Sequence, residues 1–235
     1  GWRSVWWFGI LLASAAFVLV GLVVASPPDP GSESCNAAVP PRDFGRMLLN
    51  PLAWLLALAF GAFAFSMLGF NTWVPTFLND TLHIELAAAN AYASLMFVAA
   101  IPASITAGWL INRLKDRYQL LPIAFLITTI LFFWSFRLGS ASVVVPYMFT
   151  LGFVSNFIPT AIFTLSPETV LRVEYASLAL AVVMVGSNLG ATTGPPVTGA
   201  ILSSSSWSTA SFFLAAVMGV GTLVSWYVAR RLRAR

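Results

Sequence analysis

Charge is what this sequence has least of. Aspartate, glutamate, lysine and arginine make up 9% of its 235 residues, against about 25% in an ordinary soluble domain. So few charged groups could not cover a water-soluble fold. Cysteine is nearly missing: Cys35 stands alone, which excludes an internal disulfide and argues against a metal-ligand cluster. His83 is the single histidine and argues the same way, and Lys115 is the single lysine. The apolar runs hold no paired carboxylates, no histidine cluster and no Ser/His/Asp set, so no catalytic constellation, cofactor or metal is expected.

Apolar sequence fills the space. Hydrophobic residues make up 59% of the chain and the mean hydropathy is +0.86. A membrane-spanning helix needs roughly 20 apolar residues. Seven runs qualify: Val5–Ala25, Ala53–Phe77, Ala88–Ile111, Leu120–Phe136, Val143–Leu165, Ala176–Leu202 and Phe212–Ala229. They are long and do not alternate in polarity, whereas a barrel strand would show about ten alternating residues. The expected fold class is all-α, a polytopic membrane bundle of about seven transmembrane helices.

Residues 26–50 interrupt the pattern. Pro27, Pro28, Pro30, Pro40 and Pro41, with Gly31, Ser32 and Ser34, remove backbone donors and leave no apolar period, so an irregular exposed linker is expected. Alternating the loops across the membrane then sorts the basic residues. Ten lie on one side: Arg42, Arg46, Arg113, Lys115, Arg117, Arg172, Arg230, Arg231, Arg233 and Arg235. Only Arg3 and Arg137 lie on the other. The positive-inside rule puts the larger group, and the C-terminus, in the cytoplasm and the N-terminus outside. The net charge of +4 is thereby read as an insertion signal, not a nucleic-acid surface.

The densest charge lies in the loop 108–117, between two apolar runs. A small Gly108 at the helix end would allow close helix approach. Asn112 could cap that end or hold Arg113. Arg113 and Arg117 are four apart and would share a face on helical backbone. The stretch resembles the loop motif of the major facilitator superfamily, Gly-x-x-x-Asp-Arg-x-Gly-Arg-Arg. Gly108, Arg113 and Arg117 match, while Asn112, Lys115 and Asp116 depart from it.

That resemblance extends along the chain. Gly1-Trp2-Arg3 and the aromatic-rich run behind it look like the sixth helix of such a transporter. The chain has no initiator methionine, and Ala25-Ser26-Pro27 is a poor signal-cleavage site, so it reads as the last part of a longer protein. In that frame residues 1–25 end a first half, 26–50 form the central cytoplasmic linker, and 51–235 form a second half of six helices. The stretch from Ser166 to Arg172, with Glu168 and Arg172, is similar to the acidic–basic sequence the family places before its eleventh helix. Gly186, Gly190, Gly194, Pro195, Pro196 and Gly199 resemble a Gly-x-x-x-Gly-Pro-x-x-Gly element, with Gly199 one place late. They are read as close packing or as a hinge for alternating access.

The resemblance implies secondary transport of a small solute by alternating access. Its partners would be that solute, membrane lipid and the missing N-terminal half, with no nucleic acid. Polar residues deep in spans usually face the bundle interior or a wet cavity. Asn71, Trp73, Asn90, Ser94, Asn156, Thr160 and Asn188 are therefore candidates for the substrate cavity, each weighed against an interhelical hydrogen bond. Arg137 reads as a snorkelling anchor. The alternative is a seven-helix receptor or rhodopsin-like protein, for which Asp116-Arg117-Tyr118 is suggestive. The last run has neither the Schiff-base lysine nor the Asn-Pro-x-x-Tyr ending that this alternative needs.

Overall fold

The computed structural model describes residues 2–23, 50–114, 116–170 and 175–234. The chain falls into two units, residues 1–43 and 44–235. The first holds helix α1, Trp2–Val23, of 22 residues. At 1.5 Å per residue it extends about 33 Å, enough for a hydrocarbon core of about 30 Å.

The second unit is built from α2 (Pro51–Leu82), α3 (Leu86–Arg113), α4 (Leu120–Phe133), α5 (Ala141–Ser155), α6 (Phe157–Leu165), α7 (Ala176–Ser204) and α8 (Trp207–Arg233). Short 3-10 turns, Arg117–Gln119 and Ser166–Thr169, precede α4 and follow α6. Among the described residues there is no strand. Among these residues six helical stretches are long and apolar enough to cross a membrane, and Arg117–Phe133 is a shorter apolar one. The fold is an all-helical bundle, as expected.

The boundaries differ from the apolar runs in an ordered way. Helix α2 has 32 residues and overruns Ala53–Phe77 at both ends. Hydropathy marks the part of a helix that meets lipid, while backbone hydrogen bonding carries the helix on into the polar margin. Asn50 starts α2: its Oδ1 accepts from the Leu52 N–H at 3.1 Å, and Pro51 takes the first helical position, where its missing N–H is not needed. At the other end His83 closes α2 with φ 52°, a left-handed cap. The fifth run is not one helix but two, divided at Asn156. Except for Asn50, the linker assigned to residues 26–50 lies outside the described residues.

Helix α2 is the central member of the second unit, packing on α7 most extensively and also on α8 and α3. The α2–α7 seam is made of backbone. A Cβ at Gly186, Gly190 or Gly194 would fall on the carbonyl oxygen of Ala57, Gly61 or Phe65 respectively. From the α2 side, a Cβ at Gly61 would lie 2.9 Å from the Gly186 oxygen. In lipid, helix association depends on such close contact because the solvent is as apolar as the side chains. These three glycines pack backbone to backbone on α2. Thr198, also on this seam, is fully buried and returns its hydroxyl to the Gly194 carbonyl at 2.8 Å.

The α3–α5 seam has one such contact, where a Cβ at Gly152 would lie 2.5 Å from the Met96 backbone; elsewhere side chains meet across the seams. Phe70 packs against Phe132, Phe136 and Tyr147, with ring centroids 5.8, 5.1 and 6.4 Å away. Phe77 meets Phe136 and Trp207 at 5.5 and 5.3 Å, and such off-parallel pairs add to the area they bury. Buried and half-buried hydroxyls tie the elements together: Ser66 donates to the Leu214 carbonyl at 3.2 Å, Thr129 and Thr222 meet at 3.0 Å, and Ser211 accepts from the Phe136 N–H at 2.8 Å.

Candidate functional site

The charged loop leaves α3 at Arg113. Leu114 is extended, with φ −70° and ψ 131°, Asp116 is also non-helical, with φ −126° and ψ 78°, and a 3-10 turn begins at Arg117. Arg113 and Arg117 therefore do not share a helix face, contrary to the expectation from their spacing. Arg113 folds back over the Trp109 ring, 4.6 Å from its centroid. Asn112 does not hold Arg113; its Nδ2 donates to the Gly108 carbonyl at 3.0 Å. A Cβ on Gly108 would meet nothing within 4 Å. The close helix approach expected at Gly108 is thus absent from the described part of the protein, and tight glycine-to-backbone contacts lie on α7 and at Gly152 of α5 instead.

Arg117 and Glu168 form the first ionic tie, at 3.0 Å, with both side chains partly exposed. The Tyr118 hydroxyl donates to the second Glu168 oxygen at 3.0 Å. Glu168 thus accepts from two consecutive residues and joins the α3–α4 loop to the end of α6. Tyr118 and then Glu168 raise the Arg117 pKa above its already high value, so this cation is permanent. A second tie pairs Asp116 with Arg233 at the end of α8. The other Asp116 oxygen is buried with no hydrogen-bond partner among the described residues. A third tie is neutral: the Asn50 side chain donates to the Thr169 carbonyl at 2.8 Å. Arg172 and Lys115 lie outside the described residues.

The family resemblance pointed to Arg117 and Glu168 as motif members but not as partners. Tyr118 and Arg233 were missed as contributors. Their partners lie 50 and 117 positions away in sequence, and only helix packing brings them together. Of the described charged loop residues, Arg113 is the one whose charge meets an aromatic face instead of a carboxylate.

The polar span residues divide into two groups. Trp73 is committed to packing: its Nε1 donates to the Pro195 carbonyl at 3.0 Å, and its ring would sit 2.6 Å from a Cβ on Gly199. The tandem prolines lie inside a continuous α7, and Trp73 braces them from α2. Asn90 and Ser94 are exposed and bond to carbonyls of their own helix, Leu86 and Ala91. The Thr160 hydroxyl covers the Asn156 carbonyl at 3.0 Å, at the break between α5 and α6. The side-chain amides of Asn71, Asn156 and Asn188 have no hydrogen-bond partner among the described residues. Asn188 is exposed, and Asn71 and Asn156 are half-buried. A bare amide is costly in hydrocarbon, so these three need water, a ligand or another helix.

At the other end of α4, Arg137 is surrounded by rings. Its guanidinium lies 5.3, 5.4 and 5.2 Å from the centroids of Phe133, Trp134 and Phe212. The rings hold the cation by cation–π contact along its apolar stem.

Two relatives resemble the chain. The Membrane sensor protein UhpC of Escherichia coli is 22% identical over 182 residues, 76% of this chain and 41% of the relative. Its Salmonella typhimurium counterpart is 26% identical over 111 residues, 46% of this chain and 25% of the relative. The matched stretch is less than half the length of either. A sequence model of the Major Facilitator Superfamily matches residues 1–172, a stretch that takes in α1, the charged loop and the Glu168 turn. With spanning helices around that loop, this multi-pass membrane protein belongs to the Major Facilitator Superfamily.

Proposed function

We propose that the intact protein is a secondary transporter of a small solute, working by alternating access, with residues 51–235 as its second six-helix half. The family match that spans the charged loop carries this reading. The unpartnered amides of Asn71, Asn156 and Asn188 support it, since side chains of this kind line solute cavities at repeat interfaces. The charged loop lies on the cytoplasmic side and the C-terminus is cytoplasmic. Two of the loop's charges, Arg117 and Asp116, are already held within this half, by Glu168 and Arg233. Arg113 is left to engage the other half and help close that side. Pro195 and Pro196 bend with α7 during the cycle. The protein catalyses no covalent reaction and uses no cofactor or metal; its partners are solute, lipid and its own N-terminal half.

The test is solute uptake by cells expressing the intact protein, with Arg113→Ala and Arg117→Ala compared at matched expression. Arg113→Ala should lower the transport rate, while Arg117→Ala should mainly lower stability. Unimpaired uptake by Arg113→Ala would remove that residue from the mechanism. Residues 1–235 reconstituted alone should not transport, because half the cavity wall is absent.

A second reading is favoured by the relatives, both named as membrane sensor proteins. In that case the same cavity binds a solute and reports its presence without moving it. Saturable solute binding with no uptake would select the sensor reading; accumulation against a gradient would select the transporter.

A further inference from the structure

We propose that the groove between α4 and α8, at their arginine-bearing end, binds one anionic phospholipid. The groove has a volume of about 530 Å³. Its deeper walls are Ile123, Leu126, Leu223 and Trp226, all large apolar side chains left 48 to 70% exposed. Its mouth carries Arg230 and Gln119.

The chemistry of the two ends differs, and it differs in the way a lipid does. Leu223 and Arg230 are seven residues apart on one helix, so the apolar floor runs about 10 Å inward from the guanidinium. That depth suits the upper part of an acyl chain lying beside the helix. Arg230 rests on Trp226 with its guanidinium 3.6 Å from the ring centroid. The ring orders the cation without neutralising it, and among the described residues no carboxylate pairs with Arg230. Arg233 at the same mouth is held by Asp116. Arg231 lies outside the groove lining, and its Nε bonds the Tyr227 hydroxyl at 3.0 Å. The Gln119 side chain has no partner among the described residues. One positioned cation and one amide beside an apolar trough form a receptor for a phosphate diester that carries a tail. Anionic lipids gather at basic pockets between transmembrane helices through this combination.

The experiment is native mass spectrometry of the intact protein, delipidated in detergent and then offered dipalmitoyl phosphatidylglycerol or dipalmitoyl phosphatidylcholine. The protein should retain the glycerol lipid preferentially. Arg230→Gln should weaken that retention roughly five-fold, the effect of one arginine near an anionic surface. Arg231→Gln removes the same charge one residue away, outside the groove, and should leave retention nearly unchanged. Leu223→Trp, which fills an exposed trough without disturbing the core, should also displace the lipid. Soluble glycerophosphate should not compete, because it has no chain to seat. Equal retention of both lipids, equal losses in the two arginine variants, or full competition by glycerophosphate would each overturn the proposal. Size-exclusion profiles matching wild type establish that the variants are folded.

Discussion

Substitution of Gly190 by alanine tests the α2–α7 seam most directly. The added methyl would land on the Gly61 carbonyl oxygen. Carbon and carbonyl oxygen rest about 3.3–3.6 Å apart, so the helices must separate by on the order of 1 Å. A gap of that size forfeits about a quarter to a half of the dispersion between facing atoms. For on the order of 20 atom pairs at roughly 0.15 kcal/mol each, the loss is about 1 kcal/mol. Displaced neighbours bring the expected cost to about 1–3 kcal/mol, the usual range for overpacking. Alanine also gains about 1 kcal/mol over glycine in any helix, which would mask the effect in a single measurement. Gly219 supplies the control. It too is helical, but a Cβ there meets only the Thr129 methyl, at 4.0 Å. Both variants receive the same propensity gain, so their difference isolates the clash. Thermal unfolding of the intact protein in detergent should place Gly190→Ala below Gly219→Ala by about 2–12 °C, taking roughly 2–4 °C per kcal/mol. Equal midpoints would show that the helices do not touch through backbone.

Other outcomes follow from single contacts. Trp73→Phe should lose the bond to the Pro195 carbonyl and cost about 0.5–1.5 kcal/mol, read in the same unfolding assay, while Gly199→Ala should push the ring aside and add to that loss. Arg117→Ala and Glu168→Ala should show a double-mutant coupling of about 0.2–1 kcal/mol that fades in high salt, because the pair is partly exposed. His83→Gly should stabilise the protein by up to about 1 kcal/mol, since a left-handed cap suits glycine better than histidine. Arg233→Ala should destabilise more than Arg231→Ala, because it strips the partner from an Asp116 carboxylate that is partly buried.

The helices were legible because lipid imposes a length on them. Each apolar run found a helical counterpart, and the misjudged parts were the ends. Leu120–Phe136 was expected as one span, yet α4 stops at Phe133 and the chain turns through Trp134 to Phe136. Asn156 lies in a run apolar enough to look continuous, and a hydropathy reading does not register a backbone break. The glycines of α7 announced close packing, but not against which helix; Ala57 and Phe65 carry no mark in the sequence that would name them. At the charged loop, the resemblance singled out Arg117 and Glu168, which the fold pairs. It did not foresee that Leu114 would turn the backbone out of helix, which separates Arg113 from Arg117 and gives them different neighbours.

The α2–α7 seam also constrains how this bundle can deform. Where side chains interlock, rotamers can flip and volume can be redistributed, so neighbouring helices have some give. Between Ala57, Gly61 and Phe65 on one side and Gly186, Gly190 and Gly194 on the other there is only main chain, and no flexible layer exists to absorb a shift. The two rods must tilt as a single strut. Over that stretch the pair tilts together, and any bending of α7 falls at Pro195 and Pro196, beyond the last of these contacts.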